Sequence, residues 1–126
     1  MRSKTWIALG GLSALIGVAA GAFGAHALRE ILSPESLNAY EAGVRYQMFH
    51  SIALLCVGML LRSSNGGRLI HWAGYAFLLG ILLFSGSLYA LALTGVRGLG
   101  AVTPFGGLAF LAGWALLAGG AILEKK

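Results

Sequence analysis

The sequence contains no aspartate, a single cysteine, only two prolines and few charged residues of any kind. Of its 126 residues, 10% are charged and 58% are hydrophobic, whereas soluble domains have about 25% charged and 45–50% apolar residues. A water-soluble fold of this length would expose much of that apolar excess, so the composition indicates a membrane protein. The lone Cys56 excludes an internal disulfide, and we interpret it as a small apolar residue deep in a membrane span.

The missing residues also restrict the possible functions. There is no G-x-S-x-G motif, no His/Cys metal-binding pattern and no Walker loop, and the four glutamates lie in predicted loops or at segment ends. We therefore expect a protein that is not an enzyme and holds no metal or cofactor. The net charge of +5 does not indicate nucleic acid as a partner, because the basic residues form no stripe and lie at segment ends, which favours the lipid bilayer.

Gaps between the charged residues mark four candidate spans. The stretches 5–28, 46–61, 69–96 and 98–123 carry no formal charge over 24, 16, 28 and 26 residues. A membrane-spanning helix needs about 20 residues, so the second stretch is long enough only if its helix begins before Arg45 and that side chain reaches the head groups. The prediction is an all-α membrane protein, a four-transmembrane-helix bundle with spans at about 5–28, 44–62, 69–94 and 103–123, forming one domain.

The second span should be preceded by a short interfacial helical extension. Ser33 is suited to cap a helix, Pro34 to occupy its first position and Glu35 its first turn. Nothing from there to Leu61 breaks a helix. Glu41 and Arg45 are spaced i,i+4 on it, the favourable order for an ion pair. Thr103 and Pro104 repeat the same cap pattern at the start of span four, and residues 63–67 form a predicted turn.

The distribution of basic residues predicts the orientation. Six of them fall on the side of the N-terminus and three on the other: Arg2, Lys4, Arg62, Arg68, Lys125 and Lys126 against Arg29, Arg45 and Arg97. Cytoplasmic flanks carry the Lys/Arg excess, so both termini should be cytoplasmic. The start of the chain also imitates a secretory signal ending at Ala25-His26-Ala27. Its apolar stretch from Trp6 is longer than the usual 7–15 residues, so we expect it to be retained.

Small residues recur at positions suited to helix packing. In span one, Ser13, Gly17, Gly21 and Ala25 follow one another every four residues, and span four begins with the pair Gly106-Gly107. Such rows let backbones approach closely in lipid. The contact they predict lies within this bundle or, as an alternative, between copies of the chain.

Uncommon polar residues should gather in the outer half of the bundle, on the side opposite the termini. The candidate binding residues are His26, Tyr46, Gln47, His50, Ser85, Ser87, Tyr89 and Thr103. Helical geometry puts Tyr46, Gln47 and His50 on one face of span two, with Glu41 and Arg45 pointing roughly the other way. Two interpretations stay open: hydrogen bonds that join the helices, or a ligand site. Haem ligation through His26 and His50 is a further alternative.

The same stretches carry a resemblance to a known family. The segments are residues 21–28 (GAFGAHAL), 45–51 (RYQMFHS), 83–89 (LFSGSLY) and 103–107 (TPFGG) with Gly113-Trp114. In this order they resemble the signature of the YgdD/YwdK-type family of small bacterial inner-membrane proteins, across essentially the whole chain. The resemblance implies a four-span protein of the bacterial inner (plasma) membrane. It implies no established activity and no catalytic residue.

Two functional hypotheses follow. The first is a non-enzymatic structural or partner-binding membrane component, with a second copy or another membrane protein as partner. The second is a binder of a small molecule, lipid, haem or quinone in the outer-leaflet pocket around His26 and His50. A proton-coupled exporter of similar size is disfavoured, because span one contains no acidic residue.

Overall fold

The protein is described here by a computed structural model that covers residues 2–63 and 67–123. This part of the chain is helical and contains no β-strand, and four of its helices are long and apolar enough to cross a membrane. Span one comprises Ser3–Phe23 and a π-helical turn at Gly24–Leu28. Span two is Pro34–Ser63. Span three comprises Arg68–Gly80, a π-helical turn at Ile81–Ser85, and Gly86–Thr94. A short 3-10 helix at Arg97–Ala101 precedes span four, Thr103–Leu123. The four-helix membrane fold is thus confirmed.

Span two begins at the predicted cap. The hydroxyl of Ser33 accepts the backbone N–H of Ser36 at 3.1 Å, which satisfies one of the free N–H groups of the first turn. The helix then continues without a break for 30 residues, a length of about 45 Å at 1.5 Å per residue. The extension and span two are therefore a single element. Ser64, Asn65 and Gly66 of the predicted turn, and the basic Lys125 and Lys126, lie outside the described residues.

The connection between spans three and four is short and well defined. Span three ends at Gly95, whose φ of 73° closes the helix while its N–H bonds the carbonyl of Leu91 at 2.8 Å. Thr103 is the first residue of span four rather than its cap, a difference of one residue from the prediction. Its side chain bonds span three instead.

Neighbouring spans in sequence are neighbours in the structure. Span one packs on span two, span two on span three, and span three on span four. Trp6 is fully buried near the start of span one, and its ring lies against Gly74 of span three. The main core contains Leu54, Val57 and Phe77. A smaller cluster of Leu28, Tyr40 and Ala92 lies at the end of the bundle away from both chain termini. This end contains residues 29–33 and 95–102 and is called the outer end below.

His50 lies at the middle of the bundle, which corrects the predicted outer-half position. It is the seventeenth residue of the helix that starts at Pro34, and its ring lies 5.7 Å from that of Phe77. Phe77 in turn lies against Gly113, the central residue of span four. The prediction counted depth from residue 44, but the helix begins ten residues earlier, and part of that stretch packs beside spans one and three. Cys56 is also exposed on the bundle surface rather than buried.

The glycines that pack span one on span two are spaced by seven rather than four. A Cβ on Gly10, Gly17 or Gly24 would come within 2.5–2.8 Å of atoms of span two. A Cβ on Gly21 would lie 3.3 Å from the Val44 side chain, a looser contact, and Ala25 is exposed. Four residues advance a helix by 400°, so a four-spaced row turns away from its neighbour, whereas seven residues return almost to the same face. Within the predicted row, Gly17 and Ser13 face span two and Ala25 does not.

Gly106 and Gly107 differ sharply in their surroundings. A Cβ on Gly106 would collide with the backbone nitrogen of Phe84 and lie 2.7 Å from its Cα. A Cβ on Gly107 would find only the Phe84 ring, at 3.9 Å. Gly106 alone of the pair is therefore the point at which the backbones of spans three and four touch.

Candidate functional site

Gln47 is the centre of a hydrogen-bond network that joins the first three spans. The side chain is 4% exposed. Its amide nitrogen donates to the carbonyl of Ser13 at 2.8 Å, and its oxygen accepts the hydroxyl of Tyr89 at 2.5 Å. The buried hydroxyl of Ser51 lies 2.6 Å from both the Ser13 hydroxyl and the Gln47 carbonyl. Ser13 is therefore part of a polar network as well as of a packing surface.

Two further serines of span three make separate contacts. Ser85 donates to the carbonyl of Gly43 at 2.7 Å, beside the Gln47 network. Ser87 lies 2.6 Å from Thr103 and joins spans three and four near the outer end. Five of the predicted binding residues thus fall into two groups: Gln47, Ser85 and Tyr89 lie where span three meets span two, and Ser87 and Thr103 join spans three and four.

His50 lies in an aromatic enclosure rather than in a ligand pocket. Its ring stacks on Phe110 with centroids 3.5 Å apart and planes 9° apart. Nδ1 lies 2.7 Å from the carbonyl of Tyr46, and the indole N–H of Trp114 donates to Nε2 at 3.0 Å. Because an indole only donates and a carbonyl only accepts, the imidazole must carry its hydrogen on Nδ1. Both ring nitrogens are therefore occupied by the protein.

His26 does not join His50, and the shared site predicted for them is wrong. Gly24 lies against Tyr40, so His26 is level with about residue 38. Twelve residues (50 − 38) separate that level from His50, about 18 Å along the helix. His26 is exposed and has no hydrogen bond in the described part of the chain. The two imidazoles cannot ligate one haem iron within this chain. The error arose because span two was taken to begin too late.

The side chain of Tyr46 is partly exposed, whereas that of Gln47, its neighbour in sequence, is buried. Its ring is 38% exposed and lies 4.7 Å from that of Phe84. Its backbone carbonyl bonds His50, whereas its hydroxyl has no hydrogen bond to the described residues. Tyr46 therefore covers the aromatic enclosure from the lipid side and does not belong to the Gln47 network.

The predicted ion pair between Glu41 and Arg45 is not formed. No carboxylate oxygen lies within 4.0 Å of a basic nitrogen for either residue across 2–63 and 67–123. Both side chains instead line an open cavity of about 190 Å³ between spans one and two, together with Gly21, Gly24 and Val44. The i,i+4 spacing permits a pair on a solvated helix, but here both side chains are exposed and unpaired within the described residues.

A larger groove lies between spans one and three, on the other flank of span one. It has a volume of about 430 Å³ and is open to the bundle surface. Apolar side chains of spans one and three form most of its lining: Leu9, Leu12, Ile16, Leu78, Ile81 and Leu82. Ser13, Gln47, Ser85 and Tyr89 supply its polar groups. The groove therefore brings three of the predicted binding residues to one lipid-accessible surface.

Metal binding finds no support in the geometry. Within the described ranges, no three His, Cys, Asp or Glu side chains lie close enough together to hold a metal ion. The polar groups at the bundle centre are amide, hydroxyl and imidazole groups that already have partners, since none of those of Gln47, His50 or Ser85 is left unsatisfied.

Sequence reasoning missed the residues that complete these arrangements. Trp114 donates to His50, Phe110 stacks on it, and Ser51 bonds Ser13. The seven-residue spacing of Gly10, Gly17 and Gly24 is visible in the sequence, but the four-residue row stands beside it. Neither row gives the shift of span one along span two, which the contact of Gly24 with Tyr40 shows.

Comparisons with known proteins agree with this architecture. The model of the family described as "Protein of unknown function (DUF423)" matches residues 20–107. A UPF0382 membrane protein of Staphylococcus haemolyticus is 46% identical over 109 residues, covering 86% of this chain and 88% of the relative. The UPF0382 membrane protein YwdK of Bacillus subtilis is 43% identical over 108 residues, with coverage of 86% and 88%. No solved structure matches. The matched range exceeds half of the chain, which therefore belongs to the DUF423 family of membrane proteins.

Proposed function

We propose that this protein is a non-enzymatic membrane component that binds a lipid-class molecule in the groove between spans one and three. The observation that carries the proposal is a lipid-accessible groove with apolar walls and a polar floor. Its volume of about 430 Å³ lies within the usual range of about 300–1,000 Å³ for ligand pockets. The ligand class is an amphiphile with a long apolar chain and a polar group that reaches the floor.

The polar floor keeps hydrogen-bonding capacity for such a group. The amide nitrogen of Gln47 has two hydrogens, and its one hydrogen bond goes to Ser13. The hydroxyl oxygen of Tyr89 donates once and retains a lone pair that can accept. A carbonyl or hydroxyl of the ligand could therefore bond the floor without breaking the network that joins the spans.

The arrangement of polar groups also supports a role without catalysis. A general base needs a free basic atom within hydrogen-bond reach of the group it activates. His50 has both nitrogens bonded, one to Tyr46 and one to Trp114. The serine hydroxyls in the core donate to backbone carbonyls or to other hydroxyls rather than to a base.

The membrane and the orientation are part of the same proposal. Both relatives named above come from bacteria and are called membrane proteins, which supports a bacterial plasma membrane. The excess of basic residues beside the termini supports cytoplasmic ends. The outer end of the bundle, with residues 29–33 and 95–102, would then face away from the cytoplasm.

Filling the groove tests the function. Gly86 lines the groove, and a Cβ there would meet nothing within 4 Å, so Gly86→Leu should occupy the groove without disturbing the fold. Gly11→Leu is the matched control, because Gly11 is equally open and does not line the groove. Each protein is purified from membranes in mild detergent, and the retained lipids are identified by native mass spectrometry and compared with the bulk membrane lipids.

We expect wild type and Gly11→Leu to retain one enriched amphiphilic lipid, and Gly86→Leu to lose it at an unchanged melting temperature. Retention of the same lipid by Gly86→Leu, or no enrichment over bulk lipid in wild type, would contradict the proposal. Loss of a copurified membrane protein, instead of a lipid, would make the groove a partner interface.

A further inference from the structure

We propose that the cleft between spans one and two binds the head group of a zwitterionic phospholipid bearing a primary ammonium, with its phosphate at Arg45 and its ammonium at Glu41. This site lies on the opposite flank of span one from the groove. It does not rest on the function proposed above, because the two sites share no lining residue.

Two opposite charges stand side by side in this cleft without neutralising each other. Glu41 and Arg45 are both exposed, both line the cavity of about 190 Å³, and neither forms an ion pair with a described residue. A charged side chain at membrane depth is costly unless it is paired or reaches the interface. The cleft therefore presents one unpartnered cation and one unpartnered anion to whatever occupies it.

The depth of Arg45 lets its charge reach the edge of the hydrocarbon, next to the lipid head groups. His50 marks the middle of the bundle, so the Cα of Arg45 lies about 7.5 Å and that of Glu41 about 13.5 Å toward the outer end. The hydrocarbon layer extends about 15 Å from the midplane. Helical side chains tilt toward the helix N-terminus, and for span two that is the outer end. The guanidinium can therefore extend beside Glu41 at the edge of the hydrocarbon.

The shape of the cleft suits a lipid better than a free ion. Its back is made of small residues of span one, Gly21, Gly24 and Ala25, and its sides include Tyr40 and Val44. The Tyr40 hydroxyl is already used, since it donates to the carbonyl of Ala20 at 2.6 Å. The rest of the lining is mostly apolar, so Arg45 and Glu41 are the two groups left to bind a head group, and Arg45 donates to its phosphate oxygens.

The carboxylate of Glu41 determines which phospholipid fits. An anionic head group without an amine would place its phosphate at Arg45 and leave Glu41 beside a like charge. A primary ammonium can donate charge-assisted hydrogen bonds to the carboxylate, whereas a quaternary ammonium has no hydrogen to donate. Phosphatidylethanolamine therefore matches the pair better than phosphatidylglycerol or phosphatidylcholine.

The test compares the retention of these three lipids with identical acyl chains, titrated onto the purified full-length protein and followed by native mass spectrometry. Arg45→Gln should weaken the retention of phosphatidylethanolamine about tenfold or more, the effect of losing one charge-assisted hydrogen bond. Glu41→Gln should abolish the preference for phosphatidylethanolamine and leave the three lipids nearly equal. Arg29→Gln is the matched control, because Arg29 is exposed near the same end and does not line the cleft.

Three results would overturn the site: equal retention of all three lipids by wild type, unchanged retention by Arg45→Gln, or a loss with Arg29→Gln as large as with Arg45→Gln. Displacement of the lipid by soluble phosphoethanolamine or inorganic phosphate at millimolar concentration would identify a free phosphate compound as the ligand. Melting temperatures of all variants report whether the fold is kept. Gly86→Leu should retain the head-group preference, so that failure of the groove and failure of this cleft can be told apart.

Discussion

The contact between Gly106 and Phe84 allows a quantitative test of the bundle. Gly106→Ala places a methyl group against the backbone nitrogen of Phe84 and 2.7 Å from its Cα. A backbone cannot move aside by changing a rotamer, so spans three and four must separate. Gly107→Ala is the matched control, because the neighbouring methyl group would meet only a ring atom at 3.9 Å, an ordinary contact.

The two substitutions share every effect except this contact. Each gains up to about 1 kcal/mol of helix propensity. Forcing an extra group into a packed interface costs about 1–3 kcal/mol. Because the propensity gains cancel in the comparison, Gly106→Ala should be less stable than Gly107→Ala by about 1–3 kcal/mol. Gly107→Ala itself should equal or slightly exceed wild type.

The assay is equilibrium unfolding of the purified protein in mixed micelles with increasing dodecyl sulfate, followed by far-UV circular dichroism and tryptophan fluorescence. Equal midpoints for Gly106→Ala and Gly107→Ala would refute the close approach of spans three and four. A lower midpoint for Gly107→Ala would refute the orientation of span four about its axis.

Two other predictions follow from the structure and the charge pattern. Trp114→Phe keeps an aromatic ring but removes the N–H that bonds His50, and should lower the free energy of unfolding by about 0.6–1.7 kcal/mol, the range for hydrogen bonds between membrane helices. Trp72→Phe is the control, because that ring is 55% exposed, and it should change little. Equal effects of the two substitutions would show that the hydrogen bond contributes nothing. Reporter fusions at the C-terminus and between Arg62 and Arg68 should both report the cytoplasm, and a C-terminus on the other side would contradict the orientation inferred from the basic residues.

The number of spans was predictable because charge is expensive in hydrocarbon. The charged residues therefore mark where each helix leaves the membrane, and the cap at Ser33 marks where span two begins. These signals are local and can be read from one sequence. They place span ends but contain no information on how far one helix is shifted along the next.

Register was less predictable because it depends on contacts between segments. Both the four-spaced and the seven-spaced rows of small residues are visible in span one, and only packing decides which one faces span two. The wrong depth for His50 has another cause, since the helical residues after the Ser33 cap were placed outside the membrane and the depth was counted from residue 44. Trp114 was not expected at the site, since an indole N–H gives no sign in the sequence of which acceptor it will meet.

The π-helical turn at Ile81–Ser85 has a consequence for how span three can vary. In a regular α-helix, Phe77 and Tyr89 would point about 120° apart, since twelve residues advance the helix by three and one-third turns. The wider turn advances less per residue, and both rings reach span two, Phe77 beside His50 and Tyr89 on Gln47. The π-helical turn thus sets how the outer half of span three is rotated about the helix axis. A regular α-helix with one residue fewer would also keep Phe77 and Tyr89 on about the same face, since eleven residues advance the helix by just over three turns. The turn therefore lets span three contain one extra residue without losing the contact of Tyr89 with Gln47.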